Sequence, residues 1–149
     1  MLVLLRLSPF ILPKLTFSRC SPHRQPVSFS RCLSSIFNQN SNKIAGRYLS
    51  QSLPSLELEF NQFELCVCSH LLFLYSEQLS LDFHIASIHE LLRISPEVRI
   101  FPLLKLDGSP SPYVKPVIQE LDSRGFNVQV QPVAYEFQKG GNQMLKLNR

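Results

Sequence analysis

A serine and a histidine, Ser69 and His70, stand together where a short apolar run ends. The run, residues 63–69 (FELCVCS), has the length and composition of a strand buried on both faces of a parallel sheet. Open α/β sheets bind ligands beyond the carboxyl ends of their strands. We therefore expect both side chains at the edge of a ligand site. The alternative is that Ser69 merely ends the strand and His70 makes a local hydrogen bond.

Two cysteines of the same run, Cys66 and Cys68, are two residues apart and therefore project to one face of the strand. A metal site would need further ligands. Two histidines farther along the chain, His84 and His89, are five residues apart and lie on different sides of a predicted helix. We predict no metal site, and we interpret the cysteines as buried structural thiols.

A helix and a second strand are predicted after this run. Apolar residues recur at spacings of four, three and four within residues 81–92, and Ser80 is a suitable N-cap. Pro96 ends the helix. Residues 97–104 (EVRIFPLL) then form a buried strand, with Pro102 near its end because proline has no amide hydrogen to donate.

A second helix is predicted from the apolar stripe within residues 114–121. Pro116 is acceptable there only in the first turn, where its missing amide hydrogen has no helical partner. Gly125 lies at the usual position of a glycine that ends a helix.

Two segments of period two, residues 127–133 and 143–148, close the chain as a hairpin. The glycine pair within residues 139–142 (KGGN) supplies the turn. The order of elements is then strand, helix, strand, helix, strand, strand. This order predicts an α/β fold, half of a doubly wound sheet with right-handed crossovers and an antiparallel strand at one side.

The positive charge of the chain is concentrated before its first acidic residue, Glu57. Residues 1–56 hold seven bases and no acid; the rest holds 15 − 7 = 8 bases against 11 acids. Residues 1–45 combine serine, arginine and proline, which is typical of a disordered transit peptide, and predict a chloroplast location with the mitochondrion as alternative. Because the bases are spread thinly, we expect no nucleic-acid partner. Prolines interrupt residues 1–13, so we expect no membrane span.

Several strings in one order carry a resemblance to a known family: RYLSQSLPSLELEFNQFEL (residues 47–65), FELCVCSHLLFLYSEQLSLDFHIASI (63–88), EVRIFPLL (97–104) and YEFQKGGNQMLKL (135–147). They resemble a group of bacterial and plastid methyltransferase-like proteins. Residues 46–149 are thus similar to the C-terminal half of a class I S-adenosylmethionine-dependent methyltransferase, whose seventh strand runs antiparallel to the others.

The resemblance implies S-adenosylmethionine as cofactor and a small-molecule methyl acceptor that it does not specify. It implies roles for eight residues: His70 and Glu136 as catalytic, Ser52, Leu53 and Ser69 as cofactor-binding, and Phe73, Tyr75 and Tyr135 as substrate-binding. The alternatives are core packing for Phe73 and Tyr75, and an ordinary hairpin position for Glu136.

The chain departs from the family at the cofactor site. None of its five glycines lies in a glycine-rich turn after a first strand, and no acidic residue is placed to bind a ribose. We therefore predict that this form is inactive alone. The alternative is a non-catalytic fragment or interaction module, from a truncated gene model or splice form, that self-associates through an uncovered sheet edge.

Overall fold

The computed structural model describes Leu2–Arg6, residues 51–136 and residues 138–149; of Leu2–Arg6 only the strand path is described. The chain is mixed α/β, as the order of predicted elements indicated. Its elements are β1 (Leu2–Arg6), β2 (Leu65–Ser69), a 3₁₀ turn (Phe73–Tyr75), α1 (Leu81–Ile94), β3 (Glu97–Phe101), α2 (Val114–Ser123), β4 (Asn127–Pro132) and β5 (Gln143–Asn148).

The strands form one mixed sheet in the order β1-β2-β3-β5-β4. Strands β2 and β3 are parallel, and β5 is antiparallel to both β3 and β4. The antiparallel strand was expected at one side of the sheet, and this expectation is wrong. Strand β5 lies between β3 and β4, because Leu145 and Leu147 are then fully buried in the middle of the sheet.

Strand β1 falls within the segment predicted to be a disordered transit peptide. The structure differs from that prediction at Leu2–Arg6, an apolar run of strand length that pairs antiparallel with β2. Residues 7–45 lie outside the described residues, so the transit peptide there stays a prediction.

One face of the sheet packs against both helices, which also contact each other. Alternate residues of the three inner strands project to this face and are buried. They pack with the apolar stripes of the helices in one hydrophobic core, which includes Cys66, Cys68, Val98, Ile100, Leu145 and Leu147 from the strands and Ile88, Leu91, Val117 and Leu121 from the helices.

The helix ends follow the predicted signals. The Ser80 hydroxyl accepts a hydrogen bond from the Phe83 amide at 3.2 Å, which confirms Ser80 as the N-cap of α1. Pro116 is the third residue of α2 and so lies in its first turn. Gly125 follows the C-cap of α2 with φ +84°, a conformation that glycine adopts without strain. Among the described residues, neither helix is long and apolar enough to cross a membrane.

Candidate functional site

The carboxyl ends of the parallel strands β2 and β3 meet at one edge of the sheet, which we call the carboxyl edge. Ser69 and Phe101, the last residues of these strands, are register partners. His70 follows Ser69, and its amide donates to the Phe101 carbonyl at 2.7 Å. The predicted position of Ser69 and His70 at this edge is confirmed.

His70 adopts a left-handed backbone conformation with φ +56°. Few residues other than glycine do so, although histidine is enriched among them. Its ring nitrogen Nδ1 lies 2.6 Å from the Ser69 hydroxyl, which is the local hydrogen bond that the alternative interpretation expected. Burial lowers the pKa of the His70 imidazole, so the ring is neutral at neutral pH. A neutral imidazole is thus fixed at the carboxyl edge by its own backbone and by Ser69.

Three rings make a continuous aromatic strip along this edge: His70, Phe101 and Tyr135. The His70 and Phe101 ring centroids are 5.8 Å apart at an interplanar angle of 77°, and the Phe101 and Tyr135 centroids are 5.8 Å apart at 57°. The Tyr135 residue is 61% exposed. Sequence reasoning missed Phe101, because its place beside His70 depends on the register of β3 against β2.

Glu136 holds the turn between β4 and β5. Its Oε1 accepts a hydrogen bond from the Gly140 amide at 2.7 Å, and the Gln138 side-chain amide donates to the Lys105 carbonyl at 2.8 Å. Gly140 can turn its amide toward Glu136 because its φ is +81°. This exposed carboxylate thus makes a contact within its own hairpin, as the alternative of an ordinary hairpin position expected, and its catalytic role stays a prediction.

Phe73 belongs to the core. It is 1% exposed, and its ring centroid lies 5.5 Å from that of the buried His84. The prediction that Phe73 lines a substrate wall is wrong, because its side chain is enclosed by core neighbours, and the alternative of core packing holds. Tyr75 is half-buried in the same 3₁₀ turn, and its substrate-binding role stays a prediction.

The residues predicted to bind the cofactor do not form a cradle. Leu53 is 7% exposed and packs in the hydrophobic core, whereas Ser52 beside it is exposed. The Ser69 hydroxyl is engaged with His70. These three residues therefore do not fit S-adenosylmethionine.

Cys66 and Cys68 are buried free thiols, as predicted. Burial raises the pKa of Cys66 to about 12 and that of Cys68 to about 11, so both are protonated and unreactive at neutral pH. Across the described residues, no group of three or more potential ligands is placed to hold a metal ion.

His84 packs under the carboxyl edge as a fully buried residue of α1. Its ring lies between Phe73 and Tyr113, at centroid distances of 5.5 Å and 5.1 Å. Nδ1 is 2.7 Å from the Ser80 carbonyl oxygen, whereas Nε2 is buried and has no described hydrogen-bond partner. Since a carbonyl oxygen only accepts, Nδ1 carries a proton.

A cleft of about 400 Å³ opens beside the first turn of α2. Its walls come from the loop after β3, from β4 and from the hairpin turn, and its lining is mostly apolar with Lys115 as a cation. Of the described residues that line this cleft, none belongs to the predicted site. The cleft and the aromatic strip are therefore separate features, and the strip is the one that contains predicted functional residues.

Comparison with known proteins gives one informative relative. An uncharacterized protein of the archaeon Methanocaldococcus jannaschii is 37% identical over 103 residues, which is 69% of this chain. The chain spans about 44% of the length of that relative. No family model matches the chain, and no solved structure matches it.

The predicted chloroplast location is wrong on this comparison. The matched relative belongs to an archaeon, and archaea lack chloroplasts. The same relative gives no support to the mitochondrial alternative.

Proposed function

We propose that the chain is the C-terminal half of a class I S-adenosylmethionine-dependent methyltransferase-like protein and that it supplies the acceptor side of the site. The observation that carries the proposal is the arrangement of β5. The last strand of the chain is antiparallel to the strands on both sides of it, in a sheet where β2 and β3 are parallel. In the methyltransferase fold that the sequence resembles, the seventh strand likewise runs antiparallel to its neighbours.

The carboxyl edge supports the same proposal. Open α/β sheets bind ligands there, and Ser69 and His70 lie there in a fixed arrangement. A methyl transfer is an in-line displacement, in which the protein mainly aligns the two reactants. The Ser69 hydroxyl fixes the His70 ring at this edge, where the ring can line the acceptor side of the site.

The residues predicted to bind the cofactor fit their role less well than Ser69 and His70 fit the acceptor side of the site. Leu53 packs in the core, and the Ser69 hydroxyl is already bonded to His70. None of the five glycines lies in a glycine-rich turn after a first strand. We therefore propose that these 149 residues alone neither bind S-adenosylmethionine at micromolar concentration nor transfer its methyl group.

The alternative function is that of an interaction module, and β4 favours it. This strand lies at the end of the strand order, so one of its backbone edges has no strand partner among the described residues. Unpaired strand edges are templates for pairing with another chain. Self-association through β4 is the outcome that this alternative expects.

A titration of three proteins, one of them a chimera, tests the methyltransferase proposal and the proposed inactivity of the isolated chain separately. Isothermal titration with S-adenosylmethionine would be run on the 149-residue chain, on the archaeal relative and on that relative with its matched 103 residues replaced by those of this chain. We expect no binding by the chain and micromolar binding by the other two. Failure of the relative to bind would refute the methyltransferase proposal, and binding by the isolated chain would refute its inactivity.

Sedimentation of the isolated chain tests the alternative. A concentration-dependent dimer that is abolished by Val128→Pro, which removes a backbone amide of β4, would favour the interaction module. A strict monomer at all concentrations would contradict it.

A further inference from the structure

We propose that the aromatic strip of His70, Phe101 and Tyr135 is the binding surface for a planar, π-rich ligand. Given the proposed function, that ligand is the methyl acceptor. The proposed function is thereby given an acceptor of stated chemical class, and Phe101 is assigned as a specificity residue.

The strip lies on the face of the sheet away from the helices. Ile100 is buried on the helix-covered face, and successive strand residues point to opposite faces, so Phe101 projects from the other one. Ser69 is the register partner of Phe101 and projects to the same side. The strip therefore starts beside Ser69 and continues over Phe101 to Tyr135.

The strip differs from the aromatic packing of the core. Phe73 is 1% exposed and enclosed, whereas Tyr135 is 61% exposed although it touches Phe101. Singly exposed apolar residues are ordinary, but here the exposed ring continues a row of two others at regular 5.8 Å spacing. Such a row offers contiguous π surface that a flat ligand can cover.

The strip is also held in place before any ligand arrives. The His70 amide is bonded to the Phe101 carbonyl, and the His70 ring is bonded to Ser69. Glu136, next to Tyr135, is tied to the Gly140 amide. Because these contacts fix the backbone on both sides, a ligand loses little free energy in ordering the surface.

The geometry selects for planarity and not for apolar character alone. Aromatic pairs favour offset or edge-to-face arrangements with centroids roughly 4.5–7 Å apart, and stacking on an aromatic platform adds to simple burial of area. A saturated ring of the same size gains the burial but not the π contact. The ratio of the two affinities therefore reports the mode of binding.

Ligand-observed NMR of the full 149-residue chain with 2-naphthol and decahydro-2-naphthol tests this. Both probes are neutral alcohols on the same carbon skeleton, and neither resembles the cofactor. We expect 2-naphthol to bind at least fivefold more tightly than its saturated analogue. We expect Tyr135→Leu and Phe101→Leu to weaken 2-naphthol binding at least fivefold.

Phe60→Leu is the matched control. Phe60 is 65% exposed, like Tyr135, but its ring packs beneath the Arg149 guanidinium at 4.5 Å and does not belong to the strip. This variant should bind 2-naphthol as the unchanged chain does. Because Tyr135→Leu alters an exposed side chain, we expect circular dichroism to show that this variant folds. The test of the strip therefore stands on Tyr135→Leu even if Phe101→Leu does not fold.

Equal affinity for the two probes, or a loss in Phe60→Leu that Tyr135→Leu does not show, would overturn the inference. These outcomes are independent of the cofactor titration. If the chain binds 2-naphthol selectively but the archaeal relative does not bind S-adenosylmethionine, the strip is still a ligand surface, but its ligand is not a methyl acceptor. If the relative and the chimera bind S-adenosylmethionine but the chain does not bind 2-naphthol selectively, only the proposal about the strip is refuted.

Discussion

High pH should destabilise this protein through the two thiols of β2. Cys66 and Cys68 are both free and fully buried against the helices. Burial raises the pKa of Cys66 to about 12 and that of Cys68 to about 11, from an ordinary value of 9.0. Removing either proton in the folded state would leave an unpaired charge in the core.

The sign and size of the effect follow from proton linkage. Below pH 9 the folded and unfolded chains both hold the two protons, and the stability that these thiols contribute is complete. Between pH 9 and about pH 11 the unfolded chain releases protons that the folded chain retains, so the free energy of unfolding falls as the pH rises. Each thiol contributes about 1.4 kcal/mol per pH unit, so the two together remove on the order of 3 kcal/mol by about pH 10.

Urea denaturation in a reducing buffer from about pH 8 to about pH 10.5 measures this slope. The matched control is the double variant Cys66→Ala/Cys68→Ala. This variant loses core volume and is less stable at every pH, but its stability should fall less steeply above about pH 9. Parallel slopes for the two proteins would refute the reasoning, because they would mean that the thiols do not titrate differently on folding.

Two further predictions concern local structure and are measured by urea denaturation at neutral pH. Ser80→Ala should lower the free energy of unfolding by about 1 kcal/mol, because the Phe83 amide loses its cap; the conservative Ser80→Thr should retain most of the stability, and an equal loss in both variants would contradict the capping role. Gly141→Ala should cost about 1–3 kcal/mol, because the added Cβ would lie 2.9 Å from the Gln138 carbonyl oxygen, a backbone atom that cannot easily move. Lys139→Ala in the same turn should be neutral, and a neutral Gly141→Ala would show that the turn relaxes.

Local signals in the sequence predicted most of the fold. Ser80 caps α1 and Gly125 ends α2, since a cap needs only the right side chain or backbone freedom at one position. Strand β5 was predicted with its observed bounds because apolar and polar residues alternate from Leu145 to Asn148. The edge position of Ser69 and His70 followed from the end of a single strand.

Features that depend on contacts between distant segments were missed or misassigned. The place of β5 inside the sheet is decided by which strands it pairs with, which its own pattern does not contain. Phe101 joins the aromatic strip through the register of β3 against β2. The bond of Glu136 to Gly140 was missed because it depends on the folded path of the turn, which the resemblance that suggested a catalytic role does not contain.

The central position of β5 also affects how the chain can assemble during synthesis. Among the described strands, β4 joins the rest of the sheet through β5 alone, and the ribosome makes β5 later. A nascent chain that ends before Gln143 can pair β2 with β3, but it leaves β4 without a neighbouring strand. The joining of β4 to the other described strands therefore waits for β5, and a premature stop in the hairpin would leave β4 detached from them.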